Sequence, residues 1–254
     1  MATYKKRGFK KKPFSNKIGD IGQKSATANV FNTLDEGASK TEKWVAKNQK
    51  YIFGLIGLTA IVVLGYFGYF KYIKEPKEVN SMDSMFAAQR LFEQALDENN
   101  DSIYRLSING NGMKMGFLEI IDKYSGTNAS NLSNYYVGMS YLKLKDYKNS
   151  IKYLSQFNSD DQILSSLAKG SIGDCFVQLD QLEDALDYYE KAIDINTNDY
   201  TTAMYLLKAA HVSMELKKNK KSYNYFSRIK SDFPNTVSAE NIDVFISKAK
   251  ALLK

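Results

Sequence analysis

From Tyr51 to Phe70 the chain runs YIFGLIGLTAIVVLGYFGYF, twenty residues without a charge. At about 1.5 Å per residue such a helix is roughly 30 Å long, the thickness of a bilayer's hydrocarbon core. Lys50 and Lys71 bracket the run, and Trp44, Tyr51, Tyr66, Tyr69 and Tyr72 place aromatic rings at its two ends, where membrane interfaces favour them. It is too long for a signal-peptide core and starts too late. It ends in YFGYFKYIKEP, with no small-residue cleavage site. The pattern predicts an uncleaved membrane-spanning helix. Ahead of it, residues 29–49 have helix-forming character, with Val30, Leu34 and Val45 on a possible apolar stripe.

Beyond the apolar run the periodicity is helical throughout, and no segment shows strand alternation. The segment NYYVGMSYLKLKDYKNSIKYLSQF from Asn134 repeats thirty-five residues later as KGSIGDCFVQLDQLEDALDYYEKA from Lys169. Gly138 falls on Gly173, Tyr141 on Phe176, Leu144 on Leu179, Ser150 on Ala185 and Leu154 on Tyr189. A third unit places Ala210, Ser222, Phe226, Ile229 and Pro234 at the same sites. Small residues let two antiparallel helices approach, and the aromatics fill the space between them. These offsets form the tetratricopeptide (TPR) pattern. A degenerate unit comes first: GFLEIIDKYSGT aligns with YFSRIKSDFPNT, pairing Phe117 with Phe226, Ile120 with Ile229 and Thr127 with Thr236. Its first helix is expected at roughly Ser81–Leu96, followed by a long polar connection, DENNDSIYRLSINGNG. A closing helix is expected over about Ala239–Leu252, with Ile242, Phe245 and Ile246 turned inward.

The predicted fold is therefore all-α, a single N-terminal transmembrane helix followed by a TPR solenoid. The predicted parts are a basic tail with a juxtamembrane helix (1–50), the span (51–72), a linker (73–80) and the repeat domain (81–254).

Charge bears on topology. The whole chain carries +7, but residues 1–50 hold twelve Lys+Arg against four acids, a net +8, and the rest is close to neutral. The positive-inside rule then puts the tail in the cytoplasm and the repeats across the membrane. The tail's clustered cations suit anionic lipid headgroups, or the ribosome through its RNA.

Such an array binds polypeptide on its concave face, lined mainly by first helices. The repeat register gives groove candidates Leu132, Tyr135, Met139, Leu142, Val177, Met204, Leu207, His211 and Met214. The set is apolar and rich in adaptable Met. It lacks the Lys/Arg/Asn clamp that co-chaperone repeats use to hold an acidic peptide terminus.

Catalytic chemistry has few parts here. One His and one Cys exclude a disulfide framework, a Cys-rich zinc site and a His-based metal cage. No phosphate loop, HExxH or nucleophile elbow is present. Cys175 lies inside a repeat helix beside Gly173, the setting of a structural thiol. No cofactor and no enzyme activity are expected.

The order of parts resembles a known family. Trp44, Lys47, Asn48 and Lys50 form W-x-x-K-N-x-K leading into the span, followed by FAAQRLFEQAL and by IIDKYSGTNASNLSNYYVGMSYLKLKDY. From about residue 40 onward this is similar to the YfgM-type bacterial inner-membrane proteins. The resemblance implies an ancillary subunit of the SecYEG translocon, with a PpiD-like membrane-anchored periplasmic chaperone and emerging secreted polypeptides as partners. The basic tail is longer than the family's usual cytoplasmic segment. Two other readings stay open: an assembly factor or scaffold for another envelope machine, and an outer-mitochondrial import receptor, against which the missing clamp counts. An outer-membrane lipoprotein of the BamD kind is excluded, because no Cys follows directly on the hydrophobic segment.

Overall fold

The structure, a computed structural model, describes residues 26–253. The basic tail predicted to meet lipid or the ribosome lies outside the described residues, apart from the helical backbone from Ala26. The chain divides into two compact units, residues 1–68 and 69–254.

In the first unit the described residues form helix α1 (Ala26–Tyr69), which includes the apolar run. Every large apolar side chain from Phe53 to Phe67 is exposed. In water such a surface would cost far more than a folded domain tolerates. The helix is long and apolar enough to cross a membrane.

The second unit opens with a π-helical turn (Phe70–Lys74) and α2 (Glu75–Glu98). There follow α3 (Asp101–Asn109), α4 (Phe117–Lys123), α5 (Asn128–Lys143), α6 (Tyr147–Gln156), α7 (Gln162–Gln178), α8 (Leu182–Ile195), α9 (Thr201–Glu215), α10 (Asn219–Asp232) and α11 (Ile242–Ala251). Among the described residues the one strand-like pairing is a single antiparallel bridge between Gly110 and Met115. The all-helical repeat architecture expected from the sequence is what the chain adopts.

Four first helices, α2, α5, α7 and α9, end in the same way. Each closes on a non-glycine residue in the left-handed region: Asn99, Lys145, Asp180 and Lys217, with φ of 48°, 61°, 57° and 58°. The next residue's N–H reaches back to a carbonyl of the last turn, Asn100 to Ala95, Asp146 to Tyr141, Gln181 to Phe176 and Lys218 to Ser213, at 2.8–3.2 Å. This is a Schellman closure, and it turns the chain sharply into the second helix. The second and later helices of the array start on side-chain caps where one is available. Thr127 accepts from Ser130 N–H, Asp146 from Asn149 N–H, and Asp161 from Ile163 and Leu164 N–H.

The small positions do the expected packing. A Cβ on Gly138 would stand 2.5 Å from Leu154 Cγ, and one on Gly173 would stand 2.6 Å from the Tyr189 ring. The third pair, Ala210 and Phe226, is fully buried. Each of these buried large side chains contributes about 1.5–3 kcal/mol by leaving water.

The first repeat departs from the pattern, and one residue explains it. Counting seven back from each left-handed residue gives Gly138, Gly173 and Ala210, but Phe92 in α2. The Phe92 ring meets Tyr104 at 5.8 Å and Tyr136 at 5.1 Å between ring centres. A ring at the closest-approach site keeps the partner helix away, and the second helix is split into α3 and α4. The stretch expected to be a polar connection therefore contains a helix, whose Tyr104, Ser107 and Ile108 are buried. Between its halves Gly110 (φ 75°) and Gly116 pass backbone to backbone. A Cβ on Gly116 would lie 2.2 Å from Gly110 N.

α2 runs from Glu75, earlier than Ser81, because the helical backbone of the Phe70–Lys74 turn continues into it without a break. Lys77 Nζ donates to Ser125 O and Asn128 N donates to Glu78 Oε1, both at 2.8 Å, fastening the start of α2 to the α4–α5 turn. At the far end Ile242 and Ala249 of α11 are buried, and Phe245 and Ile246 are half-buried, as expected of the closing helix.

Candidate functional site: the first-helix face

Successive first helices (α2 with α5, α5 with α7, α7 with α9) pack against each other, whereas α6, α8 and α10 contact mainly their sequence neighbours. The first helices thus form the inner, tighter layer of the array, and their free faces line its groove.

Seven of the nine candidates fall into three groups on that layer. Leu132, Tyr135 and Met139 of α5 are half-buried where neighbouring repeats pack. Tyr135 lies 5.3 Å from Phe157 and 5.8 Å from Tyr136, and burial pushes its hydroxyl up to about 12, helped by nearby Tyr136 and Tyr200. Leu142 and Val177, equivalent positions one repeat apart, are brought together. They line a cleft of about 340 Å³ with Lys143, Lys145, Asp174 and Tyr189. Met204 and Leu207 line a second cleft of about 560 Å³ with Tyr200 and Val237, rimmed by Asp199 and Asn235.

His211 and Met214 lie elsewhere. Met214 is half-buried against the C-terminal core. His211 is exposed at one edge and stands edge-on to Phe226 (5.3 Å) and Phe245 (4.9 Å). Burial lowers its pKa, with a further push from Lys248.

The apolar screen of the sequence passed over a polar cluster at the edge of the first cleft. Lys208 Nζ of α9 lies 2.7 and 2.8 Å from the two oxygens of Asp174 of α7, and Tyr189 donates to Asp174 Oδ1 at 2.7 Å. The Lys208 ammonium also stands 5.9 Å from the Tyr189 ring centre and 5.5 Å from that of Tyr205. Burial, and then the Asp174 charge, drives both tyrosine hydroxyls far above their ordinary range. Tyr205 can lie over α7 only because Gly170 is bare there: a Cβ on Gly170 would sit 1.9 Å from its ring. The signal in the sequence was an Asp and a Lys 34 residues apart on first helices.

Cys175 is fully buried and bonded to Ser150 at 3.2 Å. Burial lifts its thiol to about 11, so it is a neutral packing group.

Residues 168–199, most of α7 and α8, match the family model described as Tetratricopeptide repeat. The repeat half is thus of TPR type, a class whose members serve as protein-interaction scaffolds. No curated protein matches the chain. Among solved structures, one of nearly identical TPR-like repeats, from a Podosopora anserina chain described as a kinesin light chain, superimposes with a TM-score of 0.48 at 9% identity. The match covers 72% of this chain and 89% of that one.

Proposed function

We propose that this chain is a single-pass membrane protein, anchored by residues 51–72, with its basic tail (1–50) in the bacterial cytoplasm and its repeats in the periplasm. The repeat domain, placed from the sequence at 81–254 behind a linker at 73–80, acts as a scaffold on the SecYEG translocon. It holds a PpiD-like membrane-anchored chaperone and accepts emerging secreted polypeptides along its first-helix face. The observation that carries this reading is the pairing of a fully exposed apolar helix with a TPR array whose inner layer has two open clefts. The first cleft combines Leu142 and Val177 with Lys143 and Lys145, and the second sets Tyr200, Met204, Leu207 and Val237 beside Asp199, Asn235, Thr236 and Ser238. Extended segments with apolar side chains at intervals suit that surface, and no single sequence is demanded.

Affinity purification and crosslinking of the full chain from native membranes test the partners. SecY and a membrane-anchored chaperone should be recovered, and recovery of an outer-membrane machine without SecY overturns the assignment in favour of an assembly factor for that machine. Topology is tested separately: protease added to spheroplasts should remove the repeats and spare the tail. A photo-crosslinking residue at Val177 should capture nascent secreted chains, and a Leu142→Glu variant should reduce capture there.

A further inference from the structure

The cleft of Tyr200, Met204, Leu207 and Val237 opens on one particular edge of the array. Helices α5, α7, α9 and α11 start on that edge, and the turns entering them, residues 124–128, 157–161, 196–200 and 233–241, lie side by side. Hydrogen bonds tie the first two turns to the preceding first helix and join α7 to α8 ahead of the third. Lys77 and Glu78 at the start of α2 hold the first turn. Asn131 at the start of α5 exchanges two bonds with Asn158 in the second, at 2.6 and 3.1 Å. Ser166 at the start of α7 donates to Ala192 O, just before the third, at 2.8 Å. The third and fourth turns face each other across the cleft itself.

Two properties of this edge point to what covers it. The cleft is apolar and its surroundings are exposed: Tyr200 at 64% and Val237 at 80%. The four turns contain no Lys or Arg, and they carry exposed Asp160, Asp161, Asp199 and Glu240. Lys77 stands at the α2 end of this edge, and the acidic turns beyond it attract a cationic polypeptide. Location narrows the partner further. α2 begins five residues after Phe70, the last residue of the apolar run, which is about 8 Å of helix. If the chain is anchored as proposed above, on which this inference rests, the repeat unit is tethered within a few residues of the span, within reach of the extramembrane loops of other integral membrane proteins.

We infer that this edge docks an extramembrane loop of an integral membrane protein, a loop in which a bulky apolar residue stands beside Lys or Arg. The apolar side chain fills the cleft of Tyr200, Met204, Leu207 and Val237, and the cations meet Asp199 and Asp160. This surface is distinct from the Leu142–Val177 cleft and leaves that part of the groove open to a client.

The test uses the full chain in native membranes with a photo-crosslinking residue at Val237, and control positions at Asn224 on α10 and Val177 in the groove. Val237 should give an adduct with a protein that resists alkaline carbonate extraction, and mass spectrometry should map the joined peptide to a loop bearing Lys or Arg. Two reversed exposed charges, Asp160→Lys with Asp199→Lys, should lower the yield about fivefold or more. Asp199→Lys alone, if the pair impairs folding, should lower it in the same direction. Adducts with lipid only, with carbonate-soluble proteins only, or of equal yield at Asn224 overturn the inference, as does indifference to charge reversal or the absence of an adduct. Client capture at Val177 with nothing at Val237 rejects the docking edge and leaves the scaffold reading standing. Release of the chain itself by carbonate rejects the anchor.

Discussion

Lys208 reaches across one repeat to place its ammonium 2.7 Å from Oδ1 and 2.8 Å from Oδ2 of Asp174, while Tyr189 donates to the same carboxylate from the helix behind. Three helices, α7, α8 and α9, therefore meet on one side chain. Asp174 and Lys208 retain 29% and 36% side-chain exposure, so solvent screens the pair. Asp174→Asn should cost about 1 kcal/mol in a thermal or denaturant melt of the full chain in detergent. Lys208→Met in the Asp174→Asn background should add less than Lys208→Met alone. Strict additivity would show that the two do not interact.

Gly170 is a steric requirement. Gly170→Ala puts a methyl group 1.9 Å from the Tyr205 ring, which is 1% exposed, and should destabilise the array by about 1–3 kcal/mol or more. Tyr205→Leu should recover part of that loss. An unchanged melting temperature for Gly170→Ala alone would mean Tyr205 does not pack there.

The left-handed residues at the helix ends make the opposite prediction. Lys145→Gly, Asp180→Gly and Lys217→Gly remove a Cβ from a conformation that side chains disfavour, and each should stabilise by up to about 1 kcal/mol. A Val at any of the three should destabilise.

His211 gives a pH dependence with a definite sign. Its folded-state pKa is lowered by burial, then by Lys248, so below the ordinary value near 6.5 the unfolded chain binds more protons. The contribution is intact above that value and is lost as pH falls below it. Melts across pH 5–8 should show this slope, and His211→Phe should flatten it; a slope unchanged in the variant would assign the effect to other groups.

Cys175 should be silent to alkylating reagents at neutral pH while the repeats are folded and should react once they are unfolded. Rapid modification of the native chain would contradict its burial against Ser150.

Much of this architecture was written in spacing. Charge-free length marked the long apolar helix, and the 16-residue interval from Gly138 to Leu154, Gly173 to Tyr189 and Ala210 to Phe226 marked the repeats. Helix α3 was not legible, because its four apolar residues sit among polar ones that resemble a loop, and only the wedge at Phe92 explains why a helix is needed there. Of the groove candidates, Leu142 and Val177 line one cleft, and Met204 and Leu207 line another. The Asp174–Lys208–Tyr189 cluster was hidden because it depends on how closely α9 approaches α7, which Gly170 and Tyr205 decide and no local pattern announces.

The fastening of α2 to the α4–α5 turn has a mechanical meaning. A pull arriving through Tyr69 reaches the array first at the bonds from Lys77 to Ser125 and from Asn128 to Glu78. These two contacts would act as a fuse. They would yield by peeling under small forces, long before the buried side chains of α2 slide against α5, and the rest of the solenoid would keep its shape while its mooring lengthens.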